Sequence, residues 1–253
     1  MRVFGYVVPG KRWSEEVIPA SAEYGLIDSK TATQHSFSGW HDRAVAERQD
    51  VAYRILIQQM YAGEPRQDFI AAADAVRYGG IADAVILEVG CGSGYYSEIL
   101  RHLLRYSVRY MGVDSSAAMI RLAQKRYPDY PFVVGDATAL PFTDGAVDTV
   151  LNGVSLMHIL QYELAIAESR RVARRWCIFH TVPVLQRRET TVLRKRAYGR
   201  TTLEIIFNEE QLRNLLEQRG LAVRHVLDSV PYNLEAVLNE RTVTRTYVCE
   251  VRE

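Results

Sequence analysis

Residues 84–100 read AVILEVGCGSGYYSEIL. Ala84 to Val89 are aliphatic and β-branched apart from Glu88, and so short an apolar run reads as a buried strand of a parallel sheet. Gly90, Gly92 and Gly94 then alternate with Cys91 and Ser93. Glycine at every second position lets a backbone bend tightly and pass close to a ligand with no Cβ in the way. From Tyr95 the spacing turns helical, with Ile99, Leu100, Leu103 and Leu104 on one face. Strand, glycine loop and helix in that order place the loop at the carboxyl end of a strand, where open α/β sheets bind ligands. A dinucleotide fingerprint would need a third glycine where this chain has Tyr95, and it does not call for an acid two residues before the first glycine, where Glu88 stands.

Downstream, the same pattern repeats with an acid each time. Val108 to Val113 reads as a second strand closed by Asp114, about 20 residues past the loop, where a carboxylate can accept from both hydroxyls of a ribose. Ser115 or Ser116 caps the next helix, which ends before Pro128. Phe132 to Gly135 is a third strand ending in Asp136, and Val147 to Leu151 a fourth ending at Asn152-Gly153. A helix from about Tyr162 to Arg174 runs straight into a fifth strand, Trp176 to Val182. The last third reads as β-α-β: Asn208 caps a helix with Gln211 three residues on, Gly220 ends it, and Ala222 to Val230 and Thr242 to Val251 follow as strands.

Glu88-Val89-Gly90-Cys91-Gly92-Ser93-Gly94 resembles the first motif of the class I S-adenosylmethionine-dependent methyltransferases, and the text after the fourth strand resembles the ubiquinone and menaquinone branch with its small-molecule relatives. The resemblance covers residue 81 to the C-terminus. It implies an α/β fold: a Rossmann-like, seven-stranded, mostly parallel sheet with an antiparallel last strand and helices on both faces. It also implies S-adenosyl-L-methionine as cofactor, S-adenosyl-L-homocysteine as product and an enzyme that methylates a small molecule. On that reading the cofactor residues are Glu88, Gly90, Cys91, Gly92, Gly94, Tyr95, Asp114, Ser115, Met119, Asp136, Ala137, Asn152 and Gly153. Asp136 would take the adenine amine and the Ala137 N–H a ring nitrogen, while Tyr95 either faces the sulfonium or packs its helix. His158, just after the fourth strand, is the candidate general base, with a packing role as the alternative. His180, inside the fifth strand, reads as a satisfied core residue.

Residues 1–80 stand apart from the resemblance and are expected to form an N-terminal arm and helical lid ahead of a domain spanning 81–253. Residues 1–41 are irregular and rich in aromatics and histidine, which suits either loose packing or a lid that brings Trp40 and His41 to the acceptor. Asp42 caps a helix through Tyr61, and a second helix runs from Pro65 to Gly79-Gly80; the two would cap the end of the sheet.

The acceptor is narrowed by absences. Asn152-Gly153-Val154-Ser155 is not the proline-rich tetrapeptide of the nucleic-acid adenine methylases, and no cysteine stands where a covalent pyrimidine methylase needs one. A nucleic-acid substrate is therefore disfavoured, with RNA retained as the alternative alongside a non-catalytic cofactor-binding scaffold. Gln186 to Arg200 carries Arg187, Arg188, Arg194, Lys195, Arg196 and Arg200. Such a run is either a solvated face or, through Arg194 and Arg196, the seat of an anionic acceptor. With a net charge of +1 no global field recruits polyanions. Three cysteines without ligand spacing indicate no metal site and a reducing, cytoplasmic setting, and no stretch is long and apolar enough to span a membrane. Nothing in the sequence sets the oligomeric state.

Overall fold

Asp42 opens the first long helix as its sequence requires, its carboxylate accepting from the Ala44 N–H at 2.8 Å. The computed structural model describes residues 24–27, 32, 38–79 and 83–252. A short strand β1 (Tyr24–Leu26) and a helical turn at Ser38–His41 precede α1 (Arg43–Tyr61) and α2 (Gln67–Gly79). Then come β2 (Val85–Val89), α3 (Tyr95–Leu103), β3 (Arg109–Asp114), α4 (Ala117–Arg126), β4 (Phe132–Val134) and β5 (Val147–Gly153). After a helical turn at Leu156–His158 follow α5 (Tyr162–Val172), β6 (Ala173–Leu185), β7 (Thr191–Ala197), β8 (Arg200–Asn208), α6 (Glu209–Gln218), β9 (Leu221–Asp228), α7 (Glu235–Leu238) and β10 (Val243–Val251). The expected helix cap is Ser116, whose Oγ accepts from Met119 N.

The main sheet runs β4-β3-β2-β5-β6-β10-β9, parallel from β4 to β6, with β10 antiparallel to both its neighbours. These are the seven strands expected, with the antiparallel one last. Since β3 lies on one side of β2 and β5 on the other, the chain reverses its winding between β2 and β5, and a crevice opens there beyond their carboxyl ends. β2 is buried on both faces, Ile86 and Leu87 at 0% exposure, which is why its sequence is a continuous apolar run rather than an alternating one. Among the described residues no helix is long and apolar enough to cross a membrane.

Three further strands correct the expected count. The basic run 186–200 is not a connector: it supplies β7, the turn and the first residue of β8, an antiparallel pair to which β1 adds a third strand. Val184 of β6 pairs with Val243 on one edge and with Phe207 of β8 on the other, the edge that β5 occupies lower down as far as His180. The hairpin therefore continues past the end of β5, over the crevice. Its turn, Tyr198-Gly199, has φ of 51° and 83°, the left-handed pair that matches strand twist in a two-residue hairpin.

The expected cap is also divided. α2 packs on the sheet through β6, β9 and β10 and against α3, with Phe69, Ala72 and Ala73 wholly buried, so it belongs to the layer of helices rather than to a lid. α1 instead reaches the helical turn at Ser38–His41 and α4 beside the crevice. The rest of the expected arm, apart from the described residues 24–27, 32 and 38–41, lies outside the described residues.

Candidate active site

The crevice holds a cavity of about 400 Å³, within the size range of small-molecule sites. Gly90 and Gly92 form its floor. Their φ values of 72° and 55° are left-handed, and a Cβ on Gly90 would stand 2.3 Å from that of Ser155, whose hydroxyl in turn bonds the Val89 carbonyl at 2.8 Å. The loops after β2 and β5 are thus pressed together, and only glycine fits at the contact. Val154, next to Ser155, holds φ 57°, a conformation costly for a β-branched residue and typical of sites where the surrounding fold imposes it.

Asp114 stands at the end of β3 with both oxygens aimed by the backbone: Oδ2 accepts from Gly92 N at 2.9 Å and Oδ1 from Ser116 N at 2.8 Å. Burial pushes its carboxyl above the usual range, while those two N–H groups and the nearby His41 pull it back. Each oxygen retains capacity for a further hydrogen bond, the arrangement a vicinal diol requires. Asp136 lies one strand further along, its Oδ1 taking the Thr138 N–H and hydroxyl at 2.8 Å each, its other oxygen without a partner among the described residues.

Nine of the thirteen expected cofactor residues line this cavity: Gly90, Gly92, Tyr95, Asp114, Ser115, Met119, Asp136, Ala137 and Gly153. The other four do not, and each has a supporting task. Glu88 is wholly buried beneath the loop, accepts the Tyr110 hydroxyl and has Oε1 against Gly153; burial pushes its carboxyl well above the usual range. Cys91 fills the space that Gly112 leaves. Gly94 caps α3 where a Cβ would strike the Phe132 ring at 2.7 Å. Asn152 donates to Ser169 Oγ at 3.0 Å.

The far wall is aromatic. The Trp40 ring lies 4.9 Å from that of His158 and 6.0 Å from that of Tyr198, and all three line the cavity, as do His41, Val154 and Ile159. His158 Nδ1 is 2.7 Å from the Leu203 carbonyl of β8. A carbonyl only accepts, so Nδ1 carries the proton, and in the neutral ring Nε2 is left as a bare acceptor. Nε2 has no partner among the described residues. Burial holds the imidazole below its usual pKa, so it is neutral at pH 7. His180 by contrast is spent in the core, bonded to Tyr96 and Thr246.

Arg194 and Arg196, expected near an anionic acceptor, are exposed on β7 and do not line the cavity. The strand alternation that sends them outward sends Lys195 inward to Glu204 at 2.7 Å. Elsewhere in the run, Arg200 pairs with Asp42 at 2.7 Å, and Arg187 lies 3.9 Å from Glu240. Of the nine lining residues that had no sequence assignment, three come from outside β2 to β5 and the loops after them. Gln49 and Tyr53 come from α1, where Tyr53 stacks on Tyr95 at 3.8 Å, and their five- and nine-residue distance from Ala44 carries no signal. Tyr198 had one: a Tyr-Gly pair between two alternating runs is a hairpin turn, and the hairpin brings it to the wall. Among the described residues no group of three His, Cys, Asp or Glu could hold a metal ion.

Residues 87–179 match the family described as Methyltransferase domain. A demethylmenaquinone methyltransferase of Renibacterium salmoninarum is 31% identical over 135 residues, 53% of this chain and 55% of that protein. A phthiotriol/phenolphthiotriol dimycocerosates methyltransferase of Mycobacterium tuberculosis is 38% identical over 91 residues, 35% of this chain and 33% of that protein. The chain thus spans about half or less of the length of these curated relatives. In fold it is similar to the crystal structure of a TehB-like S-adenosylmethionine-dependent methyltransferase from Corynebacterium glutamicum, with a TM-score of 0.55 at 17% identity over 84% of this chain and 100% of that one.

Proposed function

We propose that this chain, which belongs to the class I S-adenosylmethionine-dependent methyltransferases, transfers a methyl group from that cofactor to a small-molecule acceptor held under the aromatic wall. One observation carries the reading: the glycine floor, Asp114 and Asp136 share one cavity with His158, whose Nδ1 is held by Leu203 and whose Nε2 has no partner among the described residues. The donor set fits the cofactor, with Asp114 for the ribose hydroxyls, Asp136 and the Ala137 N–H for adenine, and the loop of Gly90 and Gly92 beneath the remainder. When bound, the cofactor supplies a methyl group on a sulfonium whose departing thioether needs no proton. The chain's part is to hold acceptor and methyl in near-attack geometry and to exclude water, which is the work of Trp40, Tyr53, Tyr95 and Tyr198. If the attacking atom is a hydroxyl oxygen, His158 Nε2 receives its proton.

The acceptor is uncharged at its reacting end on this reading, because the lining holds no Lys or Arg while two carboxylates share the cavity. That favours a neutral small molecule over an anion or RNA. Trp40 and His41 serve as acceptor contacts, held against the hairpin through Asp42 and Arg200 and through Arg48 Nη1, which donates to the Tyr198 carbonyl at 2.6 Å. Calorimetry tests the cofactor: S-adenosylhomocysteine should bind with micromolar affinity, about 8 kcal/mol, and tighter binding of NAD would end the reading. Incubation of a metabolite extract with methyl-labelled cofactor, read by mass spectrometry, then identifies the acceptor.

A further inference from the structure

The hairpin brings more than a carbonyl to His158. Glu204, next after Leu203 on β8, is 1% exposed and lies outside the cavity lining. Its carboxylate is 2.7 Å from Lys195 Nζ and accepts the Tyr232 hydroxyl, which meets the Tyr24 hydroxyl at 2.8 Å. Two ions taken out of water are a costly way to fill space, and an apolar pair of the same volume would serve packing at least as well. This pair is buried on the hairpin whose Leu203 carbonyl holds the ring that is to take the catalytic proton.

We propose that Glu204 is a positioning residue for the base: its buried carboxylate, kept ionised by Lys195, stabilises the imidazolium that His158 becomes on taking the acceptor's proton. The inference rests on the methyl-transfer reading with a hydroxyl acceptor. In that step the O–H bond breaks, the oxygen uses an electron pair to form the O–CH3 bond, the C–S pair stays on sulfur and the proton ends on Nε2. A positive charge thereby appears on a ring whose other nitrogen already donates to Leu203. Glu204, outside the cavity lining and on the strand that holds the ring, can stabilise that charge without taking a place the acceptor needs. The charged neighbours of His158 act on it in opposite senses. Glu204 draws its pKa up against burial and Lys195 draws it down, the carboxylate having the larger influence of the two. Trp40 and Tyr198 present rings, and His41 and Asp114 line the same cavity.

The test is an NMR titration of the His158 ring in the full chain saturated with S-adenosylhomocysteine, its signal assigned with His158→Gln. Glu204→Gln keeps the shape and an oxygen for Tyr232 but removes the charge; it should lower the His158 pKa by about one unit, a tenfold change in acid constant. Lys195→Met should raise it by less, and the double variant should fall between Glu204→Gln and wild type. The acid limb of the activity profile should move with the same signs. A purely structural pair would leave the titration in place or move it the same way in both single variants, and either result overturns the proposal. Should Glu204→Gln unfold by stranding Lys195, the signs of Lys195→Met and the double variant decide alone. Binding of S-adenosylhomocysteine, measured on the same samples, separates the two levels: tight binding with an unmoved His158 sinks the role of Glu204, and a responsive His158 without binding sinks methyl transfer.

Discussion

Replacing Asp114 by Asn sets two effects against each other. The carboxylate holds Gly92 N and Ser116 N at 2.9 and 2.8 Å, and it is also buried enough to sit above its usual pKa. Asparagine keeps one acceptor oxygen and turns the other into a donor, so one of the two N–H groups faces an N–H2, at a cost of about 1 kcal/mol. Removing a poorly solvated charge offsets much of that loss, and the folded state should change little. Binding has no such offset. A ribose diol loses a charged acceptor, about 1.5–3 kcal/mol, or roughly tenfold to a hundredfold in Kd. Calorimetry with S-adenosylhomocysteine at pH 7.5 measures the affinity, and thermal unfolding without ligand measures the fold. An Asn variant that binds within about threefold of wild type would refute the ribose assignment. Binding lost in parallel with stability would show that Asp114 serves the glycine loop and nothing more.

His180 should make stability depend on pH. Its pKa is held down to about 4 by burial, against an ordinary value of 6.5. In the window between them the unfolded chain binds the extra proton, so stability is full above 6.5 and falls as pH drops toward 4, by about 3 kcal/mol in all; urea melts at pH 7 and 5 should converge in His180→Gln. Two glycines with alanine substitutions should part company. A Cβ at Gly153 would sit 2.0 Å from Glu88 Oε1, and Gly153→Ala should lose about 3 kcal/mol or fail to fold. Gly145, with φ 60° and nothing within 4 Å, should lose only about 1 kcal/mol from its left-handed backbone when changed to alanine. Asp136→Asn should weaken the adenosine cofactor, and an inosine analogue, lacking the amine, should bind wild type more weakly; equal binding of the two would remove Asp136 from adenine recognition.

The strands, the glycine loop and the row of acids are local facts, and the chain spells them locally. A short apolar run such as 85–89 followed at once by a glycine loop reads as a strand buried on both faces, and Gly90, Gly92 and Gly94 sit where the backbone is left-handed, so this half of the cavity is written in the local order of residues. Glu88, Cys91, Gly94 and Asn152 mark the limit of that reading. A motif records which residues a loop needs and cannot tell those that face a ligand from those that brace the loop from behind, because both are one residue apart. The acceptor wall was less legible still. Gln49, Tyr53, Tyr198 and Trp40 come from segments up to 158 residues apart, joined by such contacts as Asp42 with Arg200. A run of arginines and one lysine looked like one charged feature, yet strand alternation exposes Arg194 and Arg196 and buries Lys195 against Glu204. Which neighbour a side chain meets depends on register and on which edge of β6 the hairpin takes, and both are settled by the packing of distant strands.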